Sequence, residues 1–185
     1  LDNVYLAKVD CSHPVRMQSD VGKRLAAHAT GLGKVLLAAV DPTVLRRLLE
    51  AQPLARFTSN TIVDVSILMA HLETVATSRV AIDDQEISPG LRCVAVPIFD
   101  YRSQVAAALS VSIPMMRAHM CPLPEALALI AEASIRISER IGATSEDPIL
   151  RTLTRRSEAK AAIARAMSHG SVAAIRPPNV RPVEM

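Results

Sequence analysis

The 185-residue chain contains few aromatic side chains: two tyrosines, two phenylalanines and no tryptophan. Surfaces that bind single-stranded nucleic acid depend on bases stacked against aromatic rings, so the composition argues against that function, and equally against an aromatic sugar-binding cleft. Aliphatic residues must build the core instead, and half of the chain is hydrophobic. The composition and length indicate one folded globular domain with an extension.

Cysteines are also scarce. Cys11, Cys93 and Cys121 are widely spaced and form no C-x-x-C motif, so the sequence predicts neither a disulfide framework nor a zinc ribbon. Cys11 and His13 alone are too isolated to specify a metal site. We therefore expect no metal and no cofactor.

Long apolar runs are absent as well. No run approaches the ~18 residues of a membrane span, and the first residues lack the apolar region of a signal peptide. We therefore expect a soluble, cytoplasmic protein with no membrane partner.

The excess of positive over negative charge is confined to the C-terminal part of the chain. Residues 1–143 carry 14 Lys and Arg against 14 Asp and Glu, whereas residues 144–185 carry 7 against 4. A neutral body does not resemble a DNA-binding domain, because phosphate contacts need clustered basic side chains. We predict a body over residues 1–143 and a basic extension over residues 144–185. The extension should be helical over residues 151–168 and disordered from residue 171.

Hydrophobic periodicity predicts a mixture of helices and strands. Thr30, Asp41 and Asp64 are suitable N-cap residues for three helices. Alternating and β-branched segments predict strands, the last two of which form a β-hairpin around a turn at 100–103. The predicted strands cover residues 3–9, 80–83, 91–98 and 104–113, and a fourth helix covers 124–141. This is an α+β fold with antiparallel strands.

Polar groups from separate segments of this fold suggest a pocket. Ser110 and Ser112 share one face of a strand, and Leu91 and Cys93 share one face of its hairpin partner. The Gly31-Leu-Gly33 turn at a helix start offers backbone N–H groups that favour a carboxylate, and Asp83 completes the set. Taken singly, each residue also has an ordinary structural role, since strand serines bond to neighbouring chain and a buried cysteine behaves as a small hydrophobe.

Patterns for catalysis are weaker. Gly33-Lys34 lacks the preceding glycine and the following Ser or Thr of a phosphate-binding loop. Cys93 would need a neighbouring histidine to act as a nucleophile, and no histidine occurs in a recognisable cysteine-hydrolase context.

Three motifs resemble a known family. Residues 83–100 (DDQEISPGLRCVAVPIFD) and 107–112 (AALSVS), together with residues 24–34 (RLAAHATGLGK), are similar to the effector-binding domain of the IclR family of bacterial transcription factors. The similarity spans residues 1–143. It implies a GAF-like (profilin-like) fold, in which helices flank a curved antiparallel sheet. It also implies sensing of small organic acids, and assembly as a homodimer or homotetramer.

The resemblance also implies ligand-binding positions. In this chain they are Met17, Leu25, Gly31, Leu32, Asp83, Leu91, Cys93, Ser110 and Ser112. The expected ligand is a small carboxylate or an aromatic acid, and its binding would change the arrangement of subunits. DNA would be contacted only through a winged helix-turn-helix, which should precede these residues and is absent from them. The family's opening helix and first strand should also be missing.

Two segments depart from the family pattern. Residues 77–80 (TSRV) replace a Gly-aromatic step and should change how a helix ends, and residues 144–185 have no recognised counterpart. We predict a sensing domain that is not an enzyme. Two alternatives remain open: a GAF-like redox enzyme that uses the Cys93 thiol, and an oligomerisation domain without a ligand.

Overall fold

The structure is a computed structural model that describes residues 1–10, 20–144 and 147–170, with side chains as far as residue 168. The strands are Asp2–Val4 (β1), Arg24–Ala26 (β2), Ala81–Asp84 (β3), Leu91–Phe99 (β4) and Val105–Pro114 (β5). The α-helices are Gly31–Leu37 (α1), Pro42–Glu50 (α2), Val65–Ser78 (α3), Leu123–Arg140 (α4), Pro148–Leu153 (α5) and Arg156–Gly170 (α6). The α+β prediction is confirmed.

The strands form two antiparallel sheets. β1 pairs with β2, and the larger sheet has the order β3-β4-β5. The predicted hairpin joins β4 and β5, where the Asp100 side chain accepts hydrogen bonds from the backbone N–H groups of Arg102 and Gln104. Its turn places Ser103 at a φ of 58°.

The larger sheet is covered by helices on both faces. On one face, Val94 and Val96 of β4 lie in a core cluster with Leu127 of α4 and with residues of α5 and α6. On the other face, Ala81 and Ala95 pack against α1 and α3. Because the side chains on this second face are short, α1 packs close to the sheet.

The helix starts follow the predicted caps. The Thr30 side chain accepts from the Gly33 N–H, and Asp41 and Asp64 cap α2 and α3 in the same way. Gly33 is required by packing, because a Cβ atom there would lie 2.2 Å from the carbonyl oxygen of Ala27. The start of α1 is therefore pressed against the preceding turn.

Two predicted elements differ from the structure. The strand expected over 3–9 is Asp2–Val4 in the structure, and Tyr5 beyond it exchanges backbone hydrogen bonds with residues 22 and 23. The helix expected over 151–168 is interrupted after Leu153, which divides it into α5 and α6. The first of these begins earlier than expected because Asp147 caps it and Pro148 occupies its first position. The segment that departs from the family pattern ends α3 with Arg79 in a left-handed conformation, at a φ of 60°.

The described part of the extension packs against the body. Its thin apolar face is sufficient, because Ala159, Ala162, Ile163 and Ala166 are all buried in the cluster that α4 shares with the sheet. The predicted disorder from residue 171 concerns residues outside the described ranges. Within those ranges, no helix combines the length and the apolar character that crossing a membrane requires.

The packing of α6 predicts a large difference between two neighbouring substitutions. Ala162 is 0% exposed and Ala164 is exposed, so Ala162→Asp should lower the free energy of unfolding by about 3 kcal/mol or more, because it buries an unpaired charge. Ala164→Asp should lower the free energy of unfolding by only about 0.7 kcal/mol, which is the difference in helix propensity between alanine and aspartate and applies to both substitutions. Urea denaturation measures both, and equal losses would contradict the packing of α6 described here.

Candidate functional site

A row of polar side chains crosses all three strands of the larger sheet. Asp83 in β3 lies opposite Cys93 in β4, and Cys93 lies opposite Ser112 in β5. The Cys93 Sγ and Ser112 Oγ atoms are 3.1 Å apart, which is a hydrogen bond. Residues directly opposite in antiparallel strands project from the same face, so one surface of the sheet carries a carboxyl, a thiol and a hydroxyl side by side. We call Asp83, Cys93 and Ser112 the polar row.

The neighbouring row brings Ser110 and the start of α1 to the same face. Ser110 lies opposite Ala95, and a Cβ atom added to Gly31 would lie 3.3 Å from the Ala95 Cβ. Thr30 accepts from the N–H groups of Gly33 and Lys34. The cap thus leaves the N–H groups of Gly31 and Leu32 without a partner inside the helix.

Asp83 is the most unusual member of the polar row. Its side chain is 0% exposed, its Oδ1 accepts from the Glu86 N–H at 2.7 Å, and its Oδ2 makes no hydrogen bond to any described residue. Burial raises the pKa of Asp83 to about 6, and the Glu86 carboxylate adds to this shift, while hydrogen bonding and Lys34 oppose it. A buried carboxyl oxygen without a partner marks a place where a ligand atom could complete the hydrogen bonding.

Cys93 is a protonated thiol. Burial raises the pKa of Cys93 to about 12, and the charge of Asp83 contributes to the shift. Because the thiolate is the reactive form, this environment opposes the alternative of a redox enzyme based on Cys93. The thiol shares a hydrogen bond with the Ser112 hydroxyl, in which either group can be the donor.

Two of the apolar residues expected at the site adjoin these rows. Leu32 packs with Ala81 and Ala95, and Leu91 lies half-buried on the same face of β4 as Cys93. Leu25 belongs to the smaller sheet, where it is paired with Asn3, whose side-chain oxygen accepts a 2.7 Å hydrogen bond from Thr30. Met17 lies outside the described residues.

Sequence reasoning missed Tyr5. Burial raises the pKa of Tyr5, and electrostatic interactions with Cys93 and Asp83 raise it further, so Tyr5 lies within electrostatic range of the polar row. Asn3 contacts Thr30, the cap of α1, and Tyr5 follows it by two residues in an extended segment. Side chains at this spacing share one side of a strand, so the alternation could have predicted where Tyr5 lies.

Lys34 and Glu86 are the other missed residues. They form a buried ion pair with side chains 0% and 7% exposed. The pair adjoins Asp83, whose Oδ1 accepts from the Glu86 N–H. No spacing in the sequence joins them, since they are 52 residues apart. Among the residues described by the structure, no group of three or more His, Cys, Asp or Glu side chains is arranged to hold a metal ion.

Comparisons with known proteins show the family to which the chain belongs. The family of the bacterial transcriptional regulator IclR C-terminal domain matches residues 2–139. The chain is 37% identical over 139 residues to the HTH-type transcriptional regulator KdgR of Escherichia coli K12, covering 75% of this chain and 53% of KdgR. The chain thus spans about half the length of this relative.

Solved structures show the same fold. The IclR protein of Thermotoga maritima superposes with a TM-score of 0.70 at 30% identity, covering 76% of this chain and 57% of that one. The inducer-binding domain of PobR from Acinetobacter, a double mutant in complex with 3-hydroxybenzoic acid, superposes with a TM-score of 0.56 at 27% identity, covering 64% and 69%. The KdgR name is that of a transcriptional regulator, in agreement with the prediction that the chain is not an enzyme. The chain belongs to the family of IclR C-terminal domains, the effector-binding domains of bacterial transcriptional regulators.

Proposed function

We propose that this domain binds a small organic acid on the face of the sheet that carries the polar row. The observation that carries the proposal is the buried Asp83 Oδ2, which has no partner among the described residues and lies beside the Cys93 thiol and the Ser112 hydroxyl. A carboxylate could accept from the serine hydroxyls and from the N–H groups of Gly31 and Leu32. The half-buried Leu25, Leu32 and Leu91 would contact its carbon atoms, with Met17 as the further predicted wall residue.

The charge of Asp83 constrains how an acid binds. With a pKa of about 6, the group is mostly ionised at pH 7 and would repel an anionic ligand. Protonated Asp83 would instead donate a hydrogen bond to a ligand oxygen. We therefore propose that Asp83 takes up a proton when the acid binds.

The size of the acid is a separate question. PobR's inducer-binding domain holds 3-hydroxybenzoic acid in a related fold, which supports including aromatic acids beside small aliphatic ones.

Ligand binding would regulate transcription by shifting an equilibrium between subunit arrangements. A ligand does this only through different affinities for the two arrangements, and a coupling of ~1–3 kcal/mol is typical. We propose a homodimer or homotetramer in the cytoplasm, in which the complete regulator contacts DNA through a winged helix-turn-helix outside these residues. Residues 144–185 would then be an extension added to a sensing domain of residues 1–143.

Thermal unfolding tests the ligand class directly. At a concentration of a hundred times Kd, an acid that binds the folded domain should add ~2.7 kcal/mol and raise the Tm by roughly 5 to 10 °C. We expect one class among small monocarboxylic, dicarboxylic and aromatic acids to do so. Ser110→Ala and Ser112→Ala should abolish the shift.

Ser66→Ala is the matched control, because Ser66 lies on an exposed part of α3. It should leave the shift unchanged. A cooperative melt that no acid shifts would contradict the proposal and favour a ligand-free oligomerisation domain. An equal loss in the control would remove the evidence for this site.

Proton uptake predicts how affinity changes with pH. Above pH 6, the Kd for the acid should rise by about tenfold per pH unit, because an ionised Asp83 must first be protonated. Below pH 6 the Kd should level off until the acid itself titrates. Isothermal titration at pH 5.5 to 8 measures this, and Asp83→Asn should remove the dependence. An affinity that increases with pH would mean that the ligand donates to an ionised Asp83.

Asp83 also predicts how stability changes with pH in the absence of ligand. Its pKa is raised in the folded state, so the folded protein binds more protons than the unfolded chain between about pH 4 and 6, and stability falls as pH rises through that window. The shift of about two pKa units corresponds to up to about 3 kcal/mol. Asp83→Asn should therefore be more stable than wild type at pH 7.5 and show little gain near pH 4. Urea denaturation at both pH values measures the difference, and a gain that is equal at both would contradict the assignment.

A further inference from the structure

A buried ion pair between Lys34 and Glu86 lies beside Asp83. It is separate from the hydrogen bond between Cys93 and Ser112. The Lys34 side chain of α1 is fully buried, and its Nζ contacts Glu86 Oε1 and donates to the Ile82 carbonyl oxygen at 3.1 Å. An ammonium group taken out of water needs such partners, because an unpaired buried charge is strongly unfavourable. The pair therefore joins α1 to the loop between β3 and β4.

That loop, residues 85–90, is held by its own bonds in an uncommon conformation. Gln85 has a φ of 60°, which is unfavourable for a residue other than glycine. Its N–H donates to the Leu91 carbonyl, and its side-chain oxygen accepts from the Gly90 N–H. The conformation is thus fixed by its surroundings, a pattern that is frequent at functional sites.

Two threonines hold the loop from a third direction. The Thr61 hydroxyl donates to the Glu86 carbonyl oxygen at 2.7 Å, and the Thr58 hydroxyl donates to the Gln85 carbonyl oxygen at 2.7 Å. The backbone of Glu86 is therefore anchored on one side, while its side chain is anchored by Lys34 on the other.

Glu86 passes this constraint to Asp83. The Glu86 N–H donates to Asp83 Oδ1, so the backbone position of Glu86 determines which carboxyl oxygen of Asp83 is satisfied and which is left for the polar row. A change in the Lys34 contact would move the Glu86 segment and, with it, the donor that orients Asp83.

We propose that Lys34 and Glu86 are positioning residues, which fix the 85–90 loop and, through it, the Asp83 carboxyl group of the polar row. The inference rests on the proposed function only in treating the polar row as a ligand site. Without the pair, the fold would persist but the loop would open more often, so that Asp83 would lose its fixed orientation and water would reach Asp83 and Cys93, the residue opposite it in β4.

The reactivity of Cys93 tests this without any ligand. A double variant, Lys34→Met with Glu86→Met, removes both charges and fills the space with apolar side chains, an exchange that often leaves stability unchanged or higher. The full chain is labelled with methyl methanethiosulfonate, and each cysteine is read separately by peptide mass spectrometry. We expect Cys93 to react at least tenfold faster than in wild type, because opening returns the thiol to its ordinary acidity. Cys121, which packs on the opposite face of the sheet, should be unchanged.

Two further variants separate positioning from general loosening. Glu86→Gln keeps an oxygen acceptor for Lys34 and the backbone N–H to Asp83, so its Cys93 rate should stay within about threefold of wild type. Arg46→Met with Glu50→Met removes an exposed ion pair on α2 and should change neither rate. If the Lys34 and Glu86 double variant does not fold, Lys34→Met with Glu86→Gln replaces it, because this variant also removes both charges and leaves no buried ion unpaired, with the same expected ratio of Cys93 to Cys121.

The outcomes distinguish this inference from the proposed function. Equal acceleration of Cys93 and Cys121 would show a merely structural pair, and no acceleration of Cys93 would show that the threonines suffice; either result overturns the inference. A selective increase at Cys93 supports it even if no acid shifts the Tm, in which case only the ligand proposal fails.

Discussion

The antiparallel register of β3, β4 and β5 is the constraint on which the site depends. It places Asp83 opposite Cys93 and Cys93 opposite Ser112, and a slip of one residue would turn all three side chains towards the apolar core on the other face. That core holds the register in place, because Val94 and Val96 occupy the alternate positions of β4 and pack against α4 and the extension helices. The apolar packing of one face therefore fixes the orientation of the strands and directs the polar row to the other face.

The site combines polar groups with incomplete hydrogen bonding and a rigid support. The short side chains of Ala81 and Ala95 allow α1 to approach the sheet, and Gly33 allows its first turn to sit against residue 27. Close approach brings Lys34 within reach of the loop that follows β3, where it meets Glu86. Binding groups and supporting groups thus come from the same helix, which explains why both the proposed ligand contacts and the positioning pair converge on Asp83.

The extension contributes to the same architecture from the other face. Ala162 and Ile163 of α6 lie in the cluster with α4 and the sheet, so the extension helps to cover the core. Its apolar stripe is thin in the sequence because alanine is sufficient where helices pack closely. Burial of this stripe helps to hold the strands in register, and the register in turn determines the arrangement of the polar row.

Local sequence determined the helix starts, the hairpin and the facing of Ser110, Ser112, Leu91 and Cys93, because caps, turns and a two-residue alternation act over a few residues. The family motifs predicted that Asp83 and the start of α1 belong to one site. Only the tertiary structure revealed the ion pair of Lys34 with Glu86 and the approach of Tyr5, since these contacts join segments far apart in the chain. It also decided that Asp83 is buried, with one oxygen that has no hydrogen-bond partner among the described residues, because desolvation depends on every element packed around a group and not on its neighbours in sequence.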